Sequence, residues 1–372
     1  MRYCRQCITP DTRPQVVLDT SGLCNACAAH ATKTAIDWAS RAAAFALVVR
    51  GAQQRSHGYD CLIPVSGGKD STWQVVTCLE RGLKPLAVTW KTPARTSIGA
   101  QNLANLVSLG VDHIDYQVSP AVERKFLKEA LVRYGSTAIP MHLAMFNIPL
   151  RLAVALRIPL VVWGENSALE YGGTEEEHTG FRMDHAWLAK YGVTHGTTAQ
   201  DWVGECLSRQ ELTPYFGPTD EELSAAGVTA VFLGYYFWWD PEMTLAAARA
   251  HGFRPRAEGP KTGYYDYADI DDDFISIHHY LKWYKFGFTR LFDNLSLEIR
   301  NGRMTRDEAA GVVRERGDQT PHEDISAFCA FVGISCARFF DVIERFRNPA
   351  VWTRKAGRWV IEDFLVPDWT WT

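Results

Sequence analysis

A chain of 372 residues, 47% hydrophobic and 22% charged, is too apolar for wholesale disorder and long enough for two or three units around a sizeable core. Thirty-nine basic residues against 43 acidic ones leave a net charge of −4, which argues against a nucleic-acid coat, since binding phosphates needs a basic surface. The most apolar stretches, Ala42 to Val49, Ile158 to Trp163 and Val228 to Trp239, fall short of the roughly 20 residues that span a bilayer. The opening MRYCRQCITP has no apolar signal core, so the expectation is a cytoplasmic protein without a membrane anchor.

The first unit, residues 1–35, contains Cys4-x2-Cys7 and Cys24-x2-Cys27 with 16 residues between the pairs. Paired x2 spacing in a chain of this size indicates a metal in a reducing compartment rather than disulfides. Four thiolates on two knuckles predict a closed tetrahedral site for zinc, or iron in its place, that supplies folding energy to a segment too short for its own core. Arg2, Arg5, Arg13 and Lys33 are too few basic residues for a nucleic-acid finger, so a structural buttress is the preferred reading. The other cysteines, Cys61, Cys78, Cys206, Cys329 and Cys336, sit mostly among apolar residues and read as core.

Residues 36–260 alternate helices and strands. A helix over Ile36–Arg50 precedes a buried strand over Tyr59–Val65, a glycine turn over Ser66–Asp70 and a helix over Ser71–Arg81 closed by Gly82. Strands over Pro85–Trp90, His113–Val118 and Pro159–Trp163 alternate with helices over Ile98–Leu109, Ala121–Tyr134 and Met145–Leu156. This is the pattern of an α/β fold with a parallel sheet and right-handed crossovers, whose ligands bind where the strands end. Residues 172–227 read as an irregular insertion, and Thr229–Trp238 is apolar again. Residues 261–372 read as mostly helical, with helices over Arg306–Glu315 and Asp324–Phe331.

The strongest signal follows the strand Cys61-Leu62-Ile63-Pro64-Val65: Ser66-Gly67-Gly68-Lys69-Asp70-Ser71-Thr72. Adjacent glycines bring backbone N–H groups against an anion, a helix start adds its positive end, Lys69 adds a charge, and Ser66, Ser71 and Thr72 add hydroxyls. It is not a Walker A loop, because Ile63 stands where the first glycine belongs. The segment resembles the SGG-x-DS signature of the PP-loop ATP pyrophosphatases, which cleave ATP between the α and β phosphates and transfer AMP to an oxygen. The resemblance implies ATP and Mg2+, with Thr89, Trp90 and Lys91 holding adenine through backbone groups. Asp70 reads as a magnesium ligand or a helix N-cap. In Gly164-Glu165-Asn166-Ser167, Glu165 can bind magnesium or orient the substrate, and Gly164 allows a phosphate to approach. Lys69, Asp70 and Glu165 are the catalytic candidates.

Beyond that loop, the cysteine knuckles, SGGKDST, WKTPARTSIGAQNLANLVSLGVDHIDY, STAIPMHLAMFNIPL, VVWGENSALEYGG and HHYLKWYKFGFTRLFDNLSLEIRNGRMTRDEA together resemble the N-acetyl sugar amidotransferase family. The resemblance covers most of the chain and implies synthesis of bacterial surface polysaccharide such as lipopolysaccharide O-antigen. An amide or carboxylate oxygen of a nucleotide-activated sugar would be adenylated, and ammonia would displace AMP to give an acetamidine or a uronamide. No cysteine stands in a G-x-C-x-G elbow, since Gly204-Glu205-Cys206-Leu207-Ser208 has only its first glycine, and position 2 is Arg2. Ammonia is therefore expected from a separate glutaminase subunit. The competing readings are a PP-loop tRNA thiolase or lysidine-type ligase, and a non-catalytic ATP-binding regulatory subunit.

Weaker candidates remain. Tyr171-Gly172-Gly173 reads equally as a sugar-side loop and a turn, and Lys282, Lys285 and Arg290 with Trp283 and Tyr284 equally as a diphosphate site and a solvated helix face. Asp271-Asp272-Asp273 can bind metal, but a helix-starting charge run is the preferred reading. His142, His178, His185, His195, His278 and His279 show no ligand spacing. Trp352, Trp359, Trp369 and Trp371 read as core or subunit packing.

Overall fold

The computed structural model describes residues 1–173, 180, 182–317, 320–367 and 369. Five short strands form one parallel sheet: β1 (Cys61–Pro64), β2 (Pro85–Trp90), β3 (Asp112–Tyr116), β4 (Leu160–Trp163) and β5 (Thr229–Phe232), in the spatial order β3-β2-β1-β4-β5. Period-two alternation sends Cys61 and Ile63 of β1 to one face and Leu62 to the other, and both faces are covered. On one side Leu62, Leu86, Val88 and Val161 pack with Phe126, Ile139 and Ile148. On the other, Ile63, Ala87, Val162 and Val231 pack with Phe45, Val75 and Leu103.

Among the described residues the helices up to residue 171 are α1 (Asn25–Lys33), α2 (Trp38–Arg55), α3 (Lys69–Glu80), α4 (Ser97–Val107), α5 (Pro120–Tyr134), α6 (Ala138–Ala155) and α7 (Ser167–Tyr171), of which α2 to α6 cover these faces. Local chemistry sets their ends. Thr96 caps α4 by accepting from Gly99 N, and α5 starts on a proline and stops at Gly135 in the left-handed region. Helix α6 begins seven residues before the expected Met145, because Pro140 falls in its first turn, where a missing N–H costs nothing, and the interior Pro149 is buried against the sheet. Among the described residues α6 alone has a single-helix length and hydropathy sufficient to cross a membrane; its apolar side is buried in the sheet core.

The stretch expected as an irregular insertion contains helices His185–Tyr191 and Asp220–Ala225, and its Trp187, Trp202 and Tyr215 enter the core beside Phe126 and Phe232. The apolar run from Thr229 divides into β5 and the short helix Leu233–Tyr236. The C-terminal region is helical, with helices Ile275–Phe286, Arg290–Arg300, Arg306–Arg316, His322–Val332 and Cys336–Glu344 before a small hairpin of Thr353–Lys355 and Arg358–Val360. Cys206 and Cys336 are exposed rather than core, whereas Cys61, Cys78 and Cys329 are buried. Trp352 and Trp369 pack with Trp283, while His178 and Trp371 lie outside the described residues.

Candidate active site

Strand order locates the site before any side chain is considered. From β1 the chain moves outward to β2 and β3, then returns to lay β4 on the opposite side of β1 and β5 beyond it. Ligands in such sheets bind at the carboxyl ends where the winding reverses. Here those ends are Ser66–Asp70 after β1 and Gly164–Ser167 after β4.

The first turn is built for close approach. Gly67 has φ of 89°, and a Cβ there would lie 2.6 Å from the Leu103 amide nitrogen of α4. Ser66 N donates to Ser71 Oγ at 3.0 Å, Gly68 N donates to Ser66 Oγ at 3.2 Å, and Thr72 Oγ1 donates to the Gly68 carbonyl at 3.1 Å. The hydroxyls of Ser66 and Ser71 thus brace the loop as acceptors; Ser66 gives its own hydrogen to the Asp271 carboxylate, and Ser71 keeps one to donate. Gly68 is the N-cap of α3 and makes no side-chain cap bond, so Asp70 is not a cap; it stands in the first turn.

Asp70 is engaged on both oxygens. Lys69 Nζ lies 2.7 Å from each of them and 3.1 Å from Thr244 Oγ1, and Trp239 Nε1 donates to Asp70 Oδ1 at 2.9 Å. Lys69 is buried, with its Nζ over the Trp239 ring. Its charge reaches the loop as half of an ion pair, not as a bare cation. Across the crevice, Gln74 accepts from Gly164 N and donates to the Asp70 carbonyl, joining the ends of β1 and β4. Burial, followed by the Asp70 charge, pushes the Glu165 carboxyl up to about 7. Two carboxylates close enough to repel, with no thiol or imidazole between them, form an oxygen donor set suited to Mg2+.

A third carboxylate comes from the C-terminal region. Arg95 and Asp272 form an isolated bridge, Thr96 N donates to Asp271 O at 3.1 Å, and Asp271 packs against Gly99, whose added Cβ would lie 2.7 Å from Asp271 Cα. This places the Asp271 carboxylate on Ser66, with its pKa raised by burial. The helix expected at this acidic run starts only at Ile275, and the three aspartates fan apart. Asp271 meets the loop, Asp272 lines a cavity with Trp90, and Asp273 pairs with Lys261.

At the expected adenine edge the side chains have partners of their own, and the backbone reading is not tested by them. Thr89 Oγ1 lies 2.9 Å from His113 Nε2, Trp90 Nε1 donates to Glu123 at 3.0 Å, and the Lys91 N–H is taken by the Tyr116 carbonyl. The basic-aromatic group divides by helical phase. Lys282 pairs with Asp293 at 3.3 Å and Arg290 with Asp269 at 2.8 Å, while Trp283 and Tyr284 turn into aromatic packing. Lys285 faces His195. Burial lowers Lys282 and Lys285 to about 8. Tyr171 lies between the two halves of the site, within the electrostatic reach of Arg290, Glu165 and Asp70, and its phenol is pushed up by burial.

The four cysteines meet as their spacing predicts. Cys4, Cys7, Cys24 and Cys27 are buried, with their Sγ atoms all within 4.8 Å of one another. Zn–S bonds of about 2.3 Å demand tetrahedral S···S edges of about 3.8 Å; the Cys7–Cys24 and Cys4–Cys27 pairs measure 3.7 and 3.9 Å. Backbone N–H groups of Thr9, Cys24 and Cys27 point at sulfur. The donor set and its dimensions fit Zn2+. The knuckles dock on helix Arg290–Arg300, where Thr9 Oγ1 donates to Ser296, Arg13 pairs with Asp293 at 2.7 Å, and buried Arg300 approaches Cys7 Sγ. Lys33 at the end of α1 reaches Glu170 of α7 at 2.7 Å.

Residues 259–365 match the family described as "LPS biosynthesis protein WbpG-like, C-terminal domain". That stretch contains Asp271, Arg290 and the helix that carries the cysteine cluster. A solved structure, NMN synthetase from Francisella tularensis, is similar at 13% identity over 61% of this chain and 99% of its own, with a TM-score of 0.27. No curated protein sequence matches the chain. Glu123, Trp239 and Thr244 were not singled out as site residues from the sequence, because no local motif marks them, and Asp271 was weighed only as part of an acidic run. Only the fold brings 271 to 66 and 244 to 69.

Proposed function

We propose that this chain is the synthetase subunit of an ATP-dependent sugar amidotransferase that acts on a nucleotide-activated sugar for surface polysaccharide, in the cytoplasm, with ammonia from a separate glutaminase. The observation that carries the reading is the pairing of Asp70 and Glu165 at the winding reversal beside the Ser66–Gly68 turn, completed by Asp271. The C-terminal region supplies Asp271, and its family is described by lipopolysaccharide biosynthesis.

An amide oxygen is a poor leaving group until it is esterified. In the proposed reaction the acetamido oxygen attacks the α phosphorus of ATP, the α–β bridging bond breaks, and pyrophosphate leaves with its electron pair. Ammonia then adds to the imidate carbon, the carbon–oxygen bond breaks, and AMP departs. A uronic acid would follow the same course to an amide. Loop N–H groups and the Ser71 hydroxyl hold the departing pyrophosphate. Lys69 fixes Asp70 through both oxygens. Mg2+ held by Asp70 and Glu165 would neutralise phosphate charge at the reacting bond. Tyr171, within electrostatic reach of Arg290, Glu165 and Asp70, would meet the sugar.

The test is mass spectrometry of UDP-sugars incubated with the purified chain, ATP, Mg2+ and ammonium. Replacement of one oxygen by NH, with AMP and pyrophosphate formed in equal amount, supports the reading. Nucleotide turnover independent of any sugar would contradict it.

A further inference from the structure

On the far side of Asp272 from the loop is a cavity that nothing above uses. It lies at the carboxyl end of β2, between α5, the start of α6 and the segment before helix Ile275–Phe286. Glu123, Asp272, Trp90, Thr137, Phe274 and His278 line it, and the space among them accepts about one water-sized guest. Glu123 is 2% exposed and Asp272 7%. Neither makes an ion pair with a lysine or arginine among the described residues.

Buried carboxylates without a cation are costly. Glu123 accepts from Trp90 Nε1, and Asp272 accepts from Phe274 N at 3.1 Å and from Thr92. Those bonds occupy only part of the roughly eight lone-pair positions that two carboxylates offer. Thr137 Oγ1, also buried, has no hydrogen-bond partner. The His278 ring is kept neutral by burial. What remains is a pocket with several vacant acceptors and the size of one small molecule. An ion of water's size that carries four N–H donors and no acceptor matches it. A hard metal ion would need six or more oxygens.

We propose that this cavity is an ammonium site, and that it delivers ammonia to the adenylated sugar at the Ser66 loop one residue away along the Asp271–Asp272 segment. The inference rests on the amidotransferase reading and names where its nitrogen enters. Ammonium gives one proton to a carboxylate oxygen of Glu123 or Asp272, converting it to the neutral acid. The freed ammonia uses its lone pair to form the carbon–nitrogen bond as the bond to AMP breaks. The protonated imidate passes its positive charge to the amidinium product, the one hydrogen in excess on the two nitrogens leaves as a proton to the phosphate of the departing AMP, and the carboxylic acid returns its proton to solvent. Burial favours that acid form, raising Glu123 to about 8 and Asp272 to about 7.

Two measurements decide it. Crystals of the full chain soaked in rubidium chloride, whose ion is close to ammonium in size, are expected to show anomalous density between Glu123 and Asp272 that Glu123→Gln loses. A wild-type cavity holding water only would overturn the site. In ammonium-driven turnover, Glu123→Gln and the uncharged Thr137→Val are expected to raise the KM for ammonium tenfold or more relative to the KM for ATP. A matching rise in the KM for ATP, or no rise in either variant, would overturn it as well. If the wild-type chain shows no sugar-dependent turnover at all, the functional reading falls, and the rubidium experiment still judges the cavity.

Discussion

Burial acts on Glu123 and Glu165 in the same direction, with different consequences. Both carboxyls sit above the ordinary 4.5, Glu123 at about 8 and Glu165 at about 7. Between its unfolded and folded values the native Glu123 holds more protons than the unfolded chain. Its contribution therefore favours folding at low pH and is lost as pH rises from about 5 to 8, at a limiting rate of about 1.4 kcal/mol per pH unit. Chemical denaturation of Glu123→Gln across that range is expected to show a flatter pH dependence than wild type. At Glu165 the ionised form is the useful one, so Mg2+ dependence of turnover should weaken as pH falls below about 7, and Glu165→Gln should remove that pH dependence. Lys69→Ala takes a donor pair from Asp70 and is expected to lower AMP formation by about 100-fold or more. With Lys69 buried against Thr244 and Trp239, a measurable loss of stability accompanies that substitution. The Ser66–Thr72 loop was legible because its chemistry is contiguous. The acidic run at 271–273 was not, since three neighbours with one side-chain type meet three different partners.

At the level of elements, the turn after β1 depends on its glycine more than on its charges. Gly67→Ala meets both a positive φ and the α4 backbone at 2.6 Å, and should destabilise the protein by about 2 kcal/mol or more, measured by denaturant unfolding. Strand positions followed from short apolar runs bounded by turn residues, and β2 falls on the expected residues. The start of α6 did not, because Pro140 reads as a breaker until its place in a first turn is known. The cysteine knuckles were legible as a metal set, but their docking on helix Arg290–Arg300 was not, since that contact joins residues almost 290 apart: Thr9 and Ser296. Lys33 ties the end of α1 to α7 and to the Trp239 segment. It is almost fully buried, bonds Glu170 and the Trp239 carbonyl, and lies over the Trp238 ring. Lys33→Met strands a buried carboxylate and is expected to cost about 3 kcal/mol in the same unfolding measurement.

Over the whole molecule, the site is assembled from distant stretches of sequence: a loop at 66–70, a strand end at 164–165 and an aspartate at 271. The parallel α/β sheet was implied by alternating helices and strands; its strand order was not, and the reversal in that order locates the crevice. What sequence could not show is that the Asp271 segment reaches the Ser66 loop while helix Arg290–Arg300 carries the cysteine cluster. A chain without a glutaminase elbow should turn over with ammonium and release no glutamate from glutamine on its own. The central claim, that the α phosphorus passes to a carbonyl oxygen of the sugar, is tested most directly by oxygen labelling. A nucleotide-sugar carrying 18O in its acetamido or carboxyl group is incubated with ATP, Mg2+ and ammonium, and the nucleotide product is read by mass. The account predicts AMP bearing one 18O; unlabelled AMP, or ADP as the product, would contradict it.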